Sequence, residues 1–206
     1  MNKLNIVHLY PELLNLYADR GNLLTLKHYA KKINFEVNIQ NVSLGDHFPD
    51  VCDLIIIGGG QDKEQIKVSE DLLRHSDKII SLINDDVPVL AVCGGYQLFG
   101  KSYKISNKLT LNGLAIFDCV SVASTGLKNR LTGDVLLHTD SEVGTIVGFE
   151  NHSARTYLGP TARPLGFIES GFGNNGVDGT EGVIFKNAIG TYLHGPILPR
   201  NEKLTL

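Results

Sequence analysis

The chain has 206 residues, 42% of them apolar, with 19 Lys and Arg against 22 Asp and Glu and a formal net charge of −3. That length supports one well-packed α/β domain spanning residues 1–206. The charge excludes the basic footprint of nucleic-acid or anionic-membrane binding, and no apolar stretch reaches the length of a bilayer span.

Residues 4–9 alternate as a strand. Residues 21–32 place Leu23, Leu24, Leu26 and Tyr29 at helical spacing and close on a basic end, as a helix C-terminus favours. Residues 35–42 alternate again through Val37 and Ile39, and residues 54–57 are a bare apolar run that stops at Gly58-Gly59-Gly60. Residues 70–84 read as one helix with Leu72, Leu73, Ile79, Ile80 and Ile83 along its stripe. A second buried strand, 87–92, ends at Cys93-Gly94-Gly95, after which Tyr96, Leu98 and Phe99 resume a helical pattern. This order implies a parallel sheet covered on both faces. Beyond it, short strands are predicted at 114–122, 131–137, 144–150, 166–169, 182–185 and 189–193, separated by Gly, Asn and Asp turns. The second half is therefore expected to be more antiparallel.

Cys52, Cys93 and Cys119 form neither an even set nor a C-x-x-C pair, which argues against a disulfide framework and a structural zinc site. With no signal-peptide core at the N-terminus, the expectation is a cytoplasmic protein with reduced thiols.

In open α/β sheets, sites form beyond the carboxyl ends of strands. Three chemically loaded segments lie at such ends: Gly58-Gly59-Gly60, Cys93-Gly94-Gly95 and the stretch from Tyr192 to Pro196. Cys93 occupies a sharp strand-to-helix turn, with Ala91 two residues before and Gly95 two after, where bulk would clash. A thiol there stands at a helix N-terminus, whose free N–H groups favour thiolate. The plain alternative is a small buried cysteine. His194 follows a strand and precedes a Gly-Pro break, which makes it the best candidate base. His28, His47 and His75 read as solvated, while His8, His138 and His152 stay open. The triple glycine can bring bare backbone N–H groups against a substrate oxygen, with the Gly94 amide as second donor. It fits neither a P-loop nor a dinucleotide fingerprint. Gln97, one helical turn past Cys93, can share the thiol's face, and Arg130 is a candidate clamp for a carboxylate.

With these residues in view, the chain resembles the class I (triad-type) glutamine amidotransferases. Cys93-Gly94-Gly95-Tyr96-Gln97 resembles their nucleophile elbow, Gly58-Gly59-Gly60 their oxyanion loop, and His194 stands where their base is expected. More narrowly it resembles the cobyric-acid-synthase-like branch, and within it the GatD-type glutaminase subunits of lipid II isoglutaminyl synthases. That narrower match is carried by residues 16–22, 129–134, 147–152 and 190–199. The resemblance implies a flavodoxin-like, open, mostly parallel sheet with helices on both faces and antiparallel additions in the second half. It implies that Cys93 attacks the side-chain amide of L-glutamine to form a γ-glutamyl thioester, that His194 moves the proton, and that the Gly59 and Gly94 amides hold the oxyanion. Gln97 and Arg130 match positions used around the bound glutamine. The ammonia would pass to a MurT-type, Mur-ligase-like synthetase subunit that amidates the D-glutamate α-carboxylate of lipid II. No cofactor is expected in this chain; ATP and Mg belong to the partner.

Two departures stand out. Many class I triads carry a glutamate two residues after the histidine, where this chain has Pro196, and no acid lies between His194 and Arg200. The expectation is that the partner supplies a carboxylate or that a dyad suffices. Relatives also usually continue past the last residue here into a closing helix. Three rival readings remain: another cysteine hydrolase on the same scaffold, a binding subunit with a vestigial elbow, and an amidotransferase serving a cobyrinic-acid-like acceptor.

Overall fold

Apolar strands that stop at glycine build the centre of the fold. The computed structural model describes residues 2–14, 20–124 and 129–206. In chain order the elements are β1 (Asn2–Leu9), α1 (Arg20–Lys32), β2 (Phe35–Val42), β3 (Leu54–Ile57), α2 (Asp62–Arg74), α3 (Ser76–Asn84), β4 (Val89–Val92) and α4 (Gly94–Phe99). There follow β5 (Ser102–Lys104), β6 (Thr110–Asn112), β7 (Cys119–Ala123), β8 (Leu131–His138), β9 (Thr145–His152), β10 (Ala154–Leu158), β11 (Gly166–Ser170) and β12 (Thr180–Glu181). The chain closes with β13 (Val183–Phe185), β14 (Ala188–Thr191), β15 (Leu193–His194), a 3-10 turn at Leu198–Arg200, and α5 (Glu202–Thr205).

The main sheet has the order β2-β1-β3-β4-β14-β13, parallel throughout except for the antiparallel edge strand β13. Its first five strands follow the flavodoxin-like order. From β1 to β2 the chain steps toward one edge, and from β3 to β4 toward the other. Right-handed crossovers therefore put α1 on one face and α2 with α3 on the opposite one. Ile55, Ile56, Ile57, Leu90, Ala91 and Val92 are all buried, as a sheet covered on both sides requires.

The second half forms two further sheets, ordered β10-β7-β5-β6 and β12-β11-β8-β9-β15. Most of their pairings are antiparallel, with β5–β7 parallel.

Several elements differ from the sequence reading. The helix expected at 70–84 is two helices that meet at His75, and the first begins at Asp62, directly after the glycine loop. Its buried stripe runs upstream from Leu72 to Val68 and Gln65, two positions that lie before the span read as helix. The strand expected at 114–122 exists only from Cys119. Before it, the amides of Leu114, Ala115, Ile116 and Phe117 donate to carbonyls at the end of α4, and Ala115 sits at φ 55°. That stretch caps a helix instead of pairing in a sheet. No helix among the described residues is long and apolar enough to cross a membrane.

Candidate active site

The turn after β4 places Cys93 at φ 52°, ψ −104°, a backbone region that costs a non-glycine residue of order 1–3 kcal/mol. Neighbouring backbone holds it there. The Cys93 amide donates to the carbonyl of Thr191 at 2.8 Å, and the Gly95 amide donates to the carbonyl of Gly58 at 3.0 Å. Small residues are obligatory at this junction. A Cβ on Gly95 would stand 2.8 Å from both the Ile57 Cγ2 and its carbonyl oxygen, and one on Gly94 would stand 3.0 Å from the Gly60 nitrogen.

The same construction measures the site. A Cβ on Gly59 would lie 3.1 Å from the Cys93 Cβ, 3.6 Å from its Sγ and 3.5 Å from the His194 Cε1. Thiol, glycine loop and imidazole thus converge on one point. Cys52 and Cys119 are buried as well, but burial pushes their thiols up to about 11 and about 12.

His194 reaches this point by a route the sequence reading did not foresee. The strand β14 ends at Thr191, and His194 belongs to β15, which pairs with β9 and sets His194 opposite Phe149. The imidazole therefore comes from the five-stranded sheet and not from an end of the parallel one. Burial, reinforced by the electrostatic influence of neighbouring His152 and Arg130, lowers the His194 pKa to about 3. A neutral imidazole at neutral pH can accept a proton.

Buried polar side chains fix the bend between β14 and β15. The carboxylate of Glu181 accepts from the Thr191 hydroxyl and the Tyr192 amide, each at 2.7 Å, and the Thr191 oxygen accepts the Leu193 amide at 3.0 Å. The Tyr192 hydroxyl accepts from Gln97 Nε2 at 3.1 Å and bonds the Thr156 hydroxyl at 2.6 Å. His152 stacks on the Tyr192 ring with centroids 3.6 Å apart and planes 5° from parallel. Its Nδ1 bonds the Ala154 carbonyl at 2.8 Å and its Nε2 faces Glu150 at 3.3 Å. Glu150, opposite Leu193 in register, also accepts the Phe172 and Gly173 amides at 2.6 and 3.0 Å.

A pocket of about 140 Å³ opens over Cys93, with Gln97 and Arg130 in its wall. Arg130 is held by Asn151, donating from Nε to its Oδ1 at 2.9 Å and from Nη2 to its carbonyl at 2.8 Å. Every candidate picked from the sequence, namely Cys93, His194, Gly59, Gly94, Gln97 and Arg130, is found around this one place. The sequence reading missed Asp62, Gln65, Tyr103 and Asn151 in the pocket wall, where His152, one of the histidines left open, also lies. Asp62 alone carried a signal, directly following the glycine loop and Gln61. Of the histidines read as solvated, His75 is in fact buried against Phe48, at 5.8 Å between rings. His138 lies on the surface and pairs with Glu169. Residues 16–19 of the first family-like segment lie outside the described residues.

A model of the CobB/CobQ-like glutamine amidotransferase domain matches residues 5–202. The chain belongs to that family. The amidotransferase is 43% identical over 206 residues to the lipid II isoglutaminyl synthase (glutamine-hydrolyzing) subunit GatD of Staphylococcus aureus, covering 100% of this chain and 82% of that protein. It is 42% identical over 203 residues to the subunit of the same name from Streptococcus pneumoniae, covering 98% and 77%. Among solved structures, PurLQS from Thermotoga maritima matches with a TM-score of 0.66 at 15% identity, over 94% of this chain and 88% of that one, a likeness of fold.

Proposed function

We propose that this amidotransferase is the glutamine-hydrolysing subunit of a lipid II isoglutaminyl synthase. The observation that carries the reading is the convergence of a strained-elbow thiol, a bare glycine and a buried neutral imidazole beside an arginine-walled pocket. Cys93 Sγ attacks the side-chain amide carbon of L-glutamine, and the amides of Gly59 and Gly94 receive the developing oxyanion. His194 takes the thiol proton and delivers it to the leaving nitrogen as ammonia departs. It then draws a proton from water, which opens the γ-glutamyl thioester and releases glutamate. Arg130 holds the substrate α-carboxylate as a charge-assisted pair, and Gln97 lines the substrate from the thiol's side.

Ammonia passes to a MurT-type, Mur-ligase-like partner, which uses ATP and Mg to activate the D-glutamate α-carboxylate of lipid II. This chain itself needs no cofactor in that scheme. With Pro196 where related triads carry an acid, the partner supplies the third carboxylate or the dyad works alone.

The test is glutamate release by the chain co-purified with its synthetase subunit. Cys93→Ala should abolish release, and diazo-oxo-norleucine should alkylate Cys93. Turnover of peptides or glyoxals, with glutamine untouched, would overturn the reading. An isolated chain as fast as the complex would remove the partner-supplied acid.

A further inference from the structure

The pocket over Cys93 brings together one guanidinium, Arg130, and one carboxylate, Asp62, and the scheme above uses only the first. Asp62 opens α2, one residue beyond Gln61 and the glycine loop. Its Oδ1 accepts a 2.8 Å hydrogen bond from the hydroxyl of Tyr103, a buried side chain on β5. The carboxylate is thereby anchored from a second sheet, a restraint that a residue serving only the helix dipole does not need. Its position is fixed before any ligand arrives.

Two further acceptors point to what it faces. The side-chain amide oxygens of Gln65 and Gln97 are buried, belong to residues in the same wall, and have no hydrogen-bond partner. Buried acceptors without donors are uncommon and mark places where something else completes the bonding. Tyr103, Asp62, Gln65 and Gln97 thus offer a negative, acceptor-rich side, while Arg130 offers a positive, donor-rich one. A zwitterionic amino acid has this polarity, with three N–H donors on its ammonium and two acceptor oxygens on its carboxylate.

We propose that Asp62, positioned by Tyr103, binds the α-ammonium of the substrate and so makes the site select an α-amino acid over a simple amide. This rests on the glutaminase reading, because the ammonium and the amide attacked by Cys93 must belong to one molecule. Asp62 sets specificity, and Tyr103 is a positioning residue.

The probe is glutaramate, which is glutamine without its α-amino group, compared with L-glutamine on the subunit complex. A charge-assisted hydrogen bond of ordinary strength predicts that Asp62→Asn lowers kcat/KM for L-glutamine about 10- to 100-fold, chiefly through KM. The same variant should leave glutaramate within about 3-fold of wild type, since that substrate has no ammonium to lose. Tyr103→Phe should move the same way by less. If Asp62→Asn slows both substrates alike, or if wild type turns over both equally well, Asp62 is no ammonium anchor. If wild type releases ammonia from neither, with Cys93 intact, the glutaminase reading falls and this inference with it.

Discussion

The two sides of the site are held by opposite means. Cys93 and the glycine loop stand on strands whose buried side chains are apolar, and backbone hydrogen bonds and steric exclusion fix the elbow. His194 stands among buried polar side chains: Glu150, His152 and Glu181 from its own five-stranded sheet, Thr156 from β10 and Thr191 from β14, each held by hydrogen bonds. The elbow on the thiol's side depends on shape, so it should respond to volume. The imidazole's side depends on hydrogen bonds and charge, so it should titrate.

The largest effect should come from the polar side. His194→Asn removes the proton carrier but leaves the elbow alone, so ammonia release should fall by about 10²–10⁴-fold while diazo-oxo-norleucine still finds the pocket. An equal loss of binding would mean that the two sides are not separable. Next comes a test of shape. Gly95→Ala forces a methyl group against Ile57, and overpacking of this kind costs about 1–3 kcal/mol, read as a drop in Tm of roughly 2–4 °C per kcal/mol.

The smallest effect concerns charge alone and has the opposite sign. Burial raises the Glu181 pKa from 4.5 to about 7, so between those values the folded protein holds a proton that the unfolded chain has released. Stability tied to Glu181 is therefore full below pH 4.5 and declines as pH rises toward 7. Glu181→Gln keeps an oxygen for Thr191 and Tyr192 and removes the titration. It should raise Tm by roughly a few degrees at pH 8 and change it little at pH 4.5. The imidazoles run the other way. Burial lowers His8 to about 4 and, with neighbouring charge, His194 to about 3, so stability falls as pH drops below 6.5, where the unfolded chain takes up protons first.

The contrast also explains what could be read from the sequence. The strands at 35–42 and 54–57, the helix at 21–32 and the elbow at Cys93 were legible because apolar periodicity reports burial between two layers. The polar interior gives no such signal. Glu150 and His152 alternate like an exposed strand face, and only the pairing of β8, β9 and β15 turns them inward. Asp62 and Tyr103 lie 41 residues apart on separate elements, so nothing local announces that they meet. The helix boundary at Asp62 was missed because Gln65 and Ser69, two buried positions of its stripe, are polar.

The backbone angle at Cys93 sets the enzyme against its own stability. At most positions alanine folds better than glycine by roughly 0.5–1 kcal/mol, yet at φ 52° the preference inverts. Cys93→Gly should therefore melt above Cys93→Ala, although neither can react. A lineage drifting toward sturdier folding would find one of its easiest gains at the single residue whose loss silences it. The thiol persists there only while its product is needed.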